Sequence, residues 1–415
     1  MKPLSLIPVV LLGGALLSAN VCEANVNGHI KGQYQNSHIP SNSALQPWVG
    51  STWEDGSGEL RLNWSDSWSG WKLETAYQLV VTHGDSLSLP PTPGLPNVGG
   101  NELDASNWWQ LSWEISSSDN QQSYHRFDRI NIGYQWDKLS LNFGRQAVTW
   151  GNGTFFNPMD VLNPFDPLAI DSEYKSGADM LYGQYLFESG SDLQGLMVVR
   201  RNKAGEVASD QFSQALHYHQ FVENAELSIL IAHHYDDRIL GLGWSSSLGD
   251  AVWQSDVTFT QTTNDDFWNL VSGLSYSWYA FNSNFSGAIE YFFSGVGLPG
   301  DRYQVDDIAS NEALAKRLDR GELFTLGRNY LGANVTMEVH PLLNVSTNAV
   351  TNLRDHSMML QLMGLYDAAE SMRITGVVGL PIGAEGTEYG GLEAPIHEQF
   401  FSSGVSAYLQ VAWYF

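Results

Sequence analysis

Residues 405–415 read VSAYLQVAWYF, and this short stretch decides the fold. Val405, Ala407, Leu409, Val411, Trp413 and Phe415 alternate with Ser406, Tyr408, Gln410, Ala412 and Tyr414. Side chains on a strand switch faces at every residue, so the first set makes an apolar face and the second a more polar one. The aromatic Phe415 closes the sequence. A strand in a soluble sandwich alternates in the same way, so the rest of the chain has to separate the two architectures.

The same two-residue period recurs along the chain. Val26, Ile30 and Tyr34 alternate with Asn27, Lys31 and Gln33, and Trp71, Leu73 and Tyr77 alternate with Lys72, Glu74 and Gln78. Similar patterns run through residues 130–136, 253–260, 285–293 and 343–349. The connections between them alternate in length, except that those near Tyr235–Asp237, Thr262–Asp266 and Asn352–His356 fill outer slots while being short. Tight turns fall near Ser65–Gly70, Trp136–Lys138, Glu188–Asp192, Val222–Ala225, Ser246–Asp250, Tyr279–Ser283, His340–Pro341 and Asp367–Glu370. The long connections are 36–57, 82–124, 149–177, 202–212, 294–327 and 381–402. Short periplasmic turns facing long extracellular loops are the asymmetry of a transmembrane antiparallel β-barrel. The spacing predicts an all-β chain of about 18 strands, within a range of roughly 16–18, with a further hairpin possible at 106–117. No long apolar run remains after residue 17, which excludes spanning helices.

The terminal strand resembles the last strand of Gram-negative outer-membrane barrels. That resemblance implies that Trp413 and Phe415 carry a signal read by the barrel-insertion machinery. The N-terminus agrees with export. Lys2 precedes a short apolar run, Leu4 to Leu17, and Cys22-Glu23-Ala24 sets small residues before a cleavage point after Ala24, with Ala19 as a second site. We therefore expect residues 1–24 to be a cleaved signal peptide and residues 25–415 to be a single barrel in the outer membrane. The one cysteine, Cys22, would leave with the leader, so disulfide and thiolate chemistry are not expected. Forty-five acidic against 20 basic residues give a net charge of −25, which argues against a nucleic-acid partner. The expected surroundings are outer-membrane lipid and lipopolysaccharide. A homo-oligomer is left open by single strands.

The least generic stretch is 143–180, FGRQAVTWGNGTFFNPMDVLNPFDPLAIDSEYKSGADM. Gly144-Arg145-Gln146, Trp150-Gly151 and Asn157-Pro158 with Asp160 are similar to porin-type and alginate-export-like barrel families. The resemblance implies a long loop that folds into the barrel and narrows it. The acidic composition departs from what a polyanion path requires. Read from the residues, Asp160, Asp166, Asp171, Glu173 and Asp179, with Lys175 the only cation among them, would make an acidic constriction facing Arg145 on the wall. Strict alternation from Leu141 and Phe143 sends Arg145 outward, so that reading needs a bulge near Gly144. The bland reading is a solvated external loop.

Lumen-wall candidates are Lys72, Glu74, Arg129, Asp256, Glu290 and Glu338. His217, His219 and His234 share a face on one expected hairpin and are weak candidates for a metal, although no site is expected to be formed. Trp108 and Trp109 offer ring faces for sugars or for loop packing, and residues 306–323 have helical spacing. Gly-x-Ser-x-Gly, His-Glu-x-x-His and P-loop motifs are absent. His233, His234, Asp236 and Asp237 lie near a strand top and read most simply as solvated. The expected function is non-enzymatic and free of cofactors: a porin-like channel for small polar solutes or ions with mild cation preference. The alternative is a plugged barrel serving as a surface receptor or export partner.

Overall fold

The computed structural model describes residues 25–89, 104–395 and 398–415. The expected leader, residues 1–24, and the prolines at 90, 91, 93 and 96 lie outside them. Eighteen strands run antiparallel, each bonded to its chain neighbours, and the ladder closes on itself. Asn25–His38 pairs with Ser406–Tyr414 from His29↔Tyr414 to Ser37↔Ser406, so the last strand seals the first. A closed barrel leaves no backbone donors or acceptors facing lipid unpaired, which hydrocarbon demands.

The register sorts every residue to one of two faces. Val26, Ile30, Leu62, Ile132, Phe143, Leu181, Ile231, Leu240, Leu362 and Leu409 point outward and are exposed, as a surface built for hydrocarbon requires. Trp68, Trp71, Trp136, Tyr279, Phe281 and Trp413 cluster near the tight turns and form an aromatic girdle at that end. The turns obey local sterics. Ser69 and Gly70, like Phe281 and Asn282, have positive φ at both central positions, the twist that matches a two-residue hairpin.

Three consecutive strands are short. Leu139–Gln146, Ala178–Leu186 and Asp192–Val198 have eight, nine and seven residues, against 16 in the preceding Gln121–Trp136. Their outer ends are topped by residues 104–118. Ser112–Ser118 pairs with the outer part of Gln121–Trp136, Asn107 bridges to Arg200, and the Arg201 N–H donates to the Ser106 carbonyl. The hairpin anticipated at 106–117 is this patch in the wall, not an extra stave.

Two of these strands and the three that follow, Ser213–Val222, Ala225–His234 and Asp237–Leu248, carry an irregularity in the sequence. Met180, Leu196, Val198, Ala215, Leu230, Ala232 and Ile239 face inward, yet all are buried and apolar. They are covered from the lumen by Trp150, Met159, Val161 and Leu162 of the loop that follows Gln146.

Candidate functional site: the inward loop and its wall

Residues 147–177 leave the top of one short strand, cross the lumen and return to the next. The wall holds the loop by its backbone. Glu290 accepts the N–H groups of Thr154, Phe155 and Phe156, at 2.6, 3.0 and 2.8 Å. Asp256 accepts the N–H and side-chain amide of Asn152, both at 2.7 Å. Trp150 stacks on His217 at 5.1 Å and donates to Gln194. Phe156 stacks on Phe292 at 4.5 Å, and Gln361 donates to the Leu168 carbonyl. On the far side Lys31 meets both Asp171 and Glu173 at 2.7 Å. There Arg61 lies 3.9 Å from the centre of the Tyr174 ring. One loop therefore touches the inner face of strands all round the barrel.

The acids of this loop do not form a free ring. Asp160 is buried against Lys175, whose ammonium also donates to the Val148 carbonyl. Burial pushes the Asp160 carboxyl up to about 6, with Lys175 opposing the rise. Asp166 has no cation beside it among the described residues. It caps the Leu168 N–H, and burial raises its pKa. Asp171 and Glu173 neutralise Lys31.

Asp179 lies elsewhere. It pairs with Arg145 across the ladder, at Nε–Oδ1 2.8 Å, and the two share the outward parity of Phe143 and Leu181. The ladder shows no register shift at Gly144, so the bulge needed to turn Arg145 inward is missing. Arg145 binds Asp104 and the Trp109 carbonyl instead, and so pins the wall patch in place. Trp108 and Trp109 stack on one another and against Phe143, which leaves them packing rather than free platforms.

Replacing Arg145 with Ala strands two carboxylates whose side chains are 6 % and 0 % exposed. We expect a loss of about 3–5 kcal/mol in barrel stability, measured by urea unfolding in detergent, because an unpaired buried charge costs that much. Arg145→Lys would recover only part, since an ammonium cannot bridge both acids.

Of the lumen-wall candidates, Asp256 and Glu290 are the loop's anchors. Arg129 binds Asp128 and the Lys175 carbonyl. Arg61 binds the same Asp128 at 2.8 Å, and Arg126 lies 4.0 Å from it. This arginine cluster was not visible in the sequence, because Asp128 reaches it through a register shift between Ala76 and Tyr77. Lys72 pairs with Glu74 nearer the tight turns, and Glu338 accepts from Asn284.

The three histidines face inward as their register requires but each has a different partner. His217 lies under Trp150, His219 bonds Asp192, and His234 bridges Ser213 and Glu322. No metal-holding group of His, Cys, Asp or Glu occurs among the described residues. Asp237, read from sequence as solvated, is buried and bound to Arg317.

That contact belongs to a lid. The helices Val305–Ser310 and Glu312–Asp319 pack Ile308, Leu314 and Leu318 on Phe267, Tyr303 and Leu392. Inside the lid Glu388 takes hydrogen bonds from Tyr330, Asn352 and the Leu326 N–H. Burial holds its carboxyl up at about 7. An unfolded glutamate titrates near ~4.3, so folding takes up a proton between these values. The stabilisation is complete in acid and lost as pH rises through 7, on the order of 3 kcal/mol. Amide protection factors in residues 383–395, corrected for the intrinsic base catalysis of exchange, should be lower at pH 8 than at pH 6, and Glu388→Gln should remove the difference.

No family model matches this chain, and no curated protein matches it. Among solved structures it is similar to OccAB3 of Acinetobacter baumannii, with TM-score 0.55 and 11% identity over 95% of this chain and 100% of that one. A BenF-like porin from Pseudomonas fluorescens Pf-5 aligns with TM-score 0.54 and 10% identity over 95% and 98%. Wzi of Escherichia coli, described as a carbohydrate-binding barrel, aligns with TM-score 0.53 and 9% identity over 93% and 83%. At such identities the likeness is one of fold. Together with the apolar belt it gives this chain the fold of an outer-membrane β-barrel, the fold these porins share.

Proposed function

We propose that this barrel is a porin-like channel, narrowed by its own loop 147–177, that passes small polar solutes or ions with a mild preference for cations. The observation that carries the reading is the anchoring of that loop across the lumen by Glu290, Asp256 and Lys31. A wall that grips a loop this way fixes a constriction instead of leaving a wide bore.

Charge supports the preference. Lys31 faces two carboxylates, Asp171 and Glu173, while Arg61, Arg126 and Arg129 share one, Asp128. Asp166, Asp256, Glu290 and Glu338 have no Lys or Arg partner among the described residues, so the interior carries surplus negative charge. In a planar bilayer with a salt gradient, the reversal potential should indicate cations favoured roughly two- to fourfold. A reversal potential of the opposite sign sinks the preference.

The packed lid favours a second reading, a closed barrel acting as a surface receptor or export partner. Conductance separates the two, since a correctly folded barrel of that kind carries no steady current by itself. No catalytic role is proposed. His234 and Asp237 are occupied by Glu322 and Arg317 of the lid.

A further inference from the structure

Neighbouring staves of this barrel are joined by their own turn or loop, with one exception. At the seam, where Asn25–His38 meets Ser406–Tyr414, pairing has to bring the two ends of the chain together. A contact so distant in sequence carries the largest loop-closure cost in the wall. The seam ladder is also short. It covers His29 to Ser37, whereas on its other side the same strand pairs along its whole length, Asn25 to His38. This junction has the least to hold it.

The tip of the inward loop lies on that junction. The Asp171 carboxylate takes the Lys31 ammonium at 2.7 Å and the Gln410 amide at 3.0 Å, both on Oδ2. The Glu173 carboxylate takes Lys31 at 2.7 Å and the Tyr414 hydroxyl at 3.1 Å, both on Oε2. Lys31 belongs to the first strand, Gln410 and Tyr414 to the last. Each carboxylate therefore spans the seam by itself. Tyr174 carries the contact one strand further, onto Arg61. Glu290 and Asp256 grip the loop differently, each from one strand inside continuous ladder. Lys31 is 7% exposed and the two acids 33% and 35%, so the bridge is shielded enough for charge-assisted bonds to count.

We propose that residues 171–174 are the latch of the barrel: the loop tip locks the first strand to the last, so that closing the wall and seating the inward loop are one event. An open seam offers the tip only half of its site. The seated tip in turn opposes parting of the strands, which strips either Lys31 or the Gln410 and Tyr414 pair from the acids. The latch is independent of whether the barrel conducts.

Amide hydrogen exchange of the full mature barrel in detergent separates the seam from the rest of the wall. Gly28 and Phe415 exchange both backbone bonds, so the amides of Ile30, Gly32, Tyr34 and Asn36 face the last strand. In the Asp171→Asn, Glu173→Gln double variant their protection should fall about tenfold or more, as the loss of hydrogen bonds to charged groups implies. The ladder of Asp237–Leu248 with Ala251–Gln261 should keep its protection. Tyr414→Phe deletes one hydroxyl and should give a smaller fall, about threefold, at the same place; it carries the test if the double variant does not fold. A covalent seam is the control. By the same alternation Ser37 and Ser406 are a non-hydrogen-bonded pair with Cα atoms about 4.5 Å apart, within reach of a disulfide. Once Ser37→Cys, Ser406→Cys is oxidised, the latch variants should lose their effect on the seam, because the strands are already locked. Unchanged protection at the seam, an equal fall in every ladder, or a fall that persists under the disulfide overturns the proposal.

Discussion

Excising residues 152–174 and joining the ends through a short Gly/Ser bridge should raise single-channel conductance about threefold or more, because an 18-strand barrel without its inner loop encloses an aqueous bore. The change should come at a cost in stability. Met159, Val161 and Leu162 leave with the loop, so Met180, Leu196, Leu230 and Ile239 turn an apolar face to water. Each large side chain so exposed forfeits about 1.5–3 kcal/mol. A gentler version is Glu290→Ala, which removes the acceptor shared by three backbone N–H groups. There the loop stays but its tip is loose, and we expect open-channel noise with a smaller rise in mean current. Unchanged conductance in the excised variant would show that the loop does not set the constriction.

The second large effect concerns the seam. Removing residues 406–415 leaves the edges of Asn25–His38 and Met372–Ile382 without their shared neighbour. Each backbone group left unpaired in lipid costs several kcal/mol, so no closed barrel should form, and the band that resists unfolding in cold detergent should vanish. Phe415→Ser is the informative companion. The Phe415 backbone exchanges two hydrogen bonds with Gly28, at 3.0 and 2.9 Å, and a side chain does not alter them. Its ring lies over the bare outward face of Gly28 and 5.4 Å from Trp413. We expect this variant to refold in detergent almost as well as the parent but to reach the outer membrane of cells several-fold less. Equal loss in both settings would assign Phe415 a packing role and remove the insertion-signal reading.

The barrel was legible because its signal is local. Period-two alternation and loop length are properties of short segments, and both survive translation into a closed ladder. The entry of loop 147–177 into the lumen was legible only as a resemblance at Trp150-Gly151 and Asn157-Pro158. Its electrostatics were not legible. A list of acids cannot say that Lys31, more than a hundred residues away, will take up Asp171 and Glu173. Arg145 shows the opposite case: simple parity sends it outward, and the structure follows parity. The lid escaped because its partners come from two separate loops and the wall strand that carries Phe267. Ile308, Tyr303 and Leu392 meet only after the barrel has closed.

The doubly apolar strands have a consequence for the journey rather than the destination. Before assembly the stretch from Ala225 to Trp244 offers hydrophobic residues on both faces: Leu230, Ala232 and Ile239 for the loop, Ile229, Ile231, Leu240 and Leu242 for lipid. Ordinary barrel strands show a soluble face to the periplasm while they wait, and this hairpin has little of one to show. Strand-forming segments of that kind are where chains aggregate. The residues that seat the loop in the folded barrel therefore leave apolar surface on both sides of this hairpin in the unfolded chain, and a chaperone that shields such surface should bind here first.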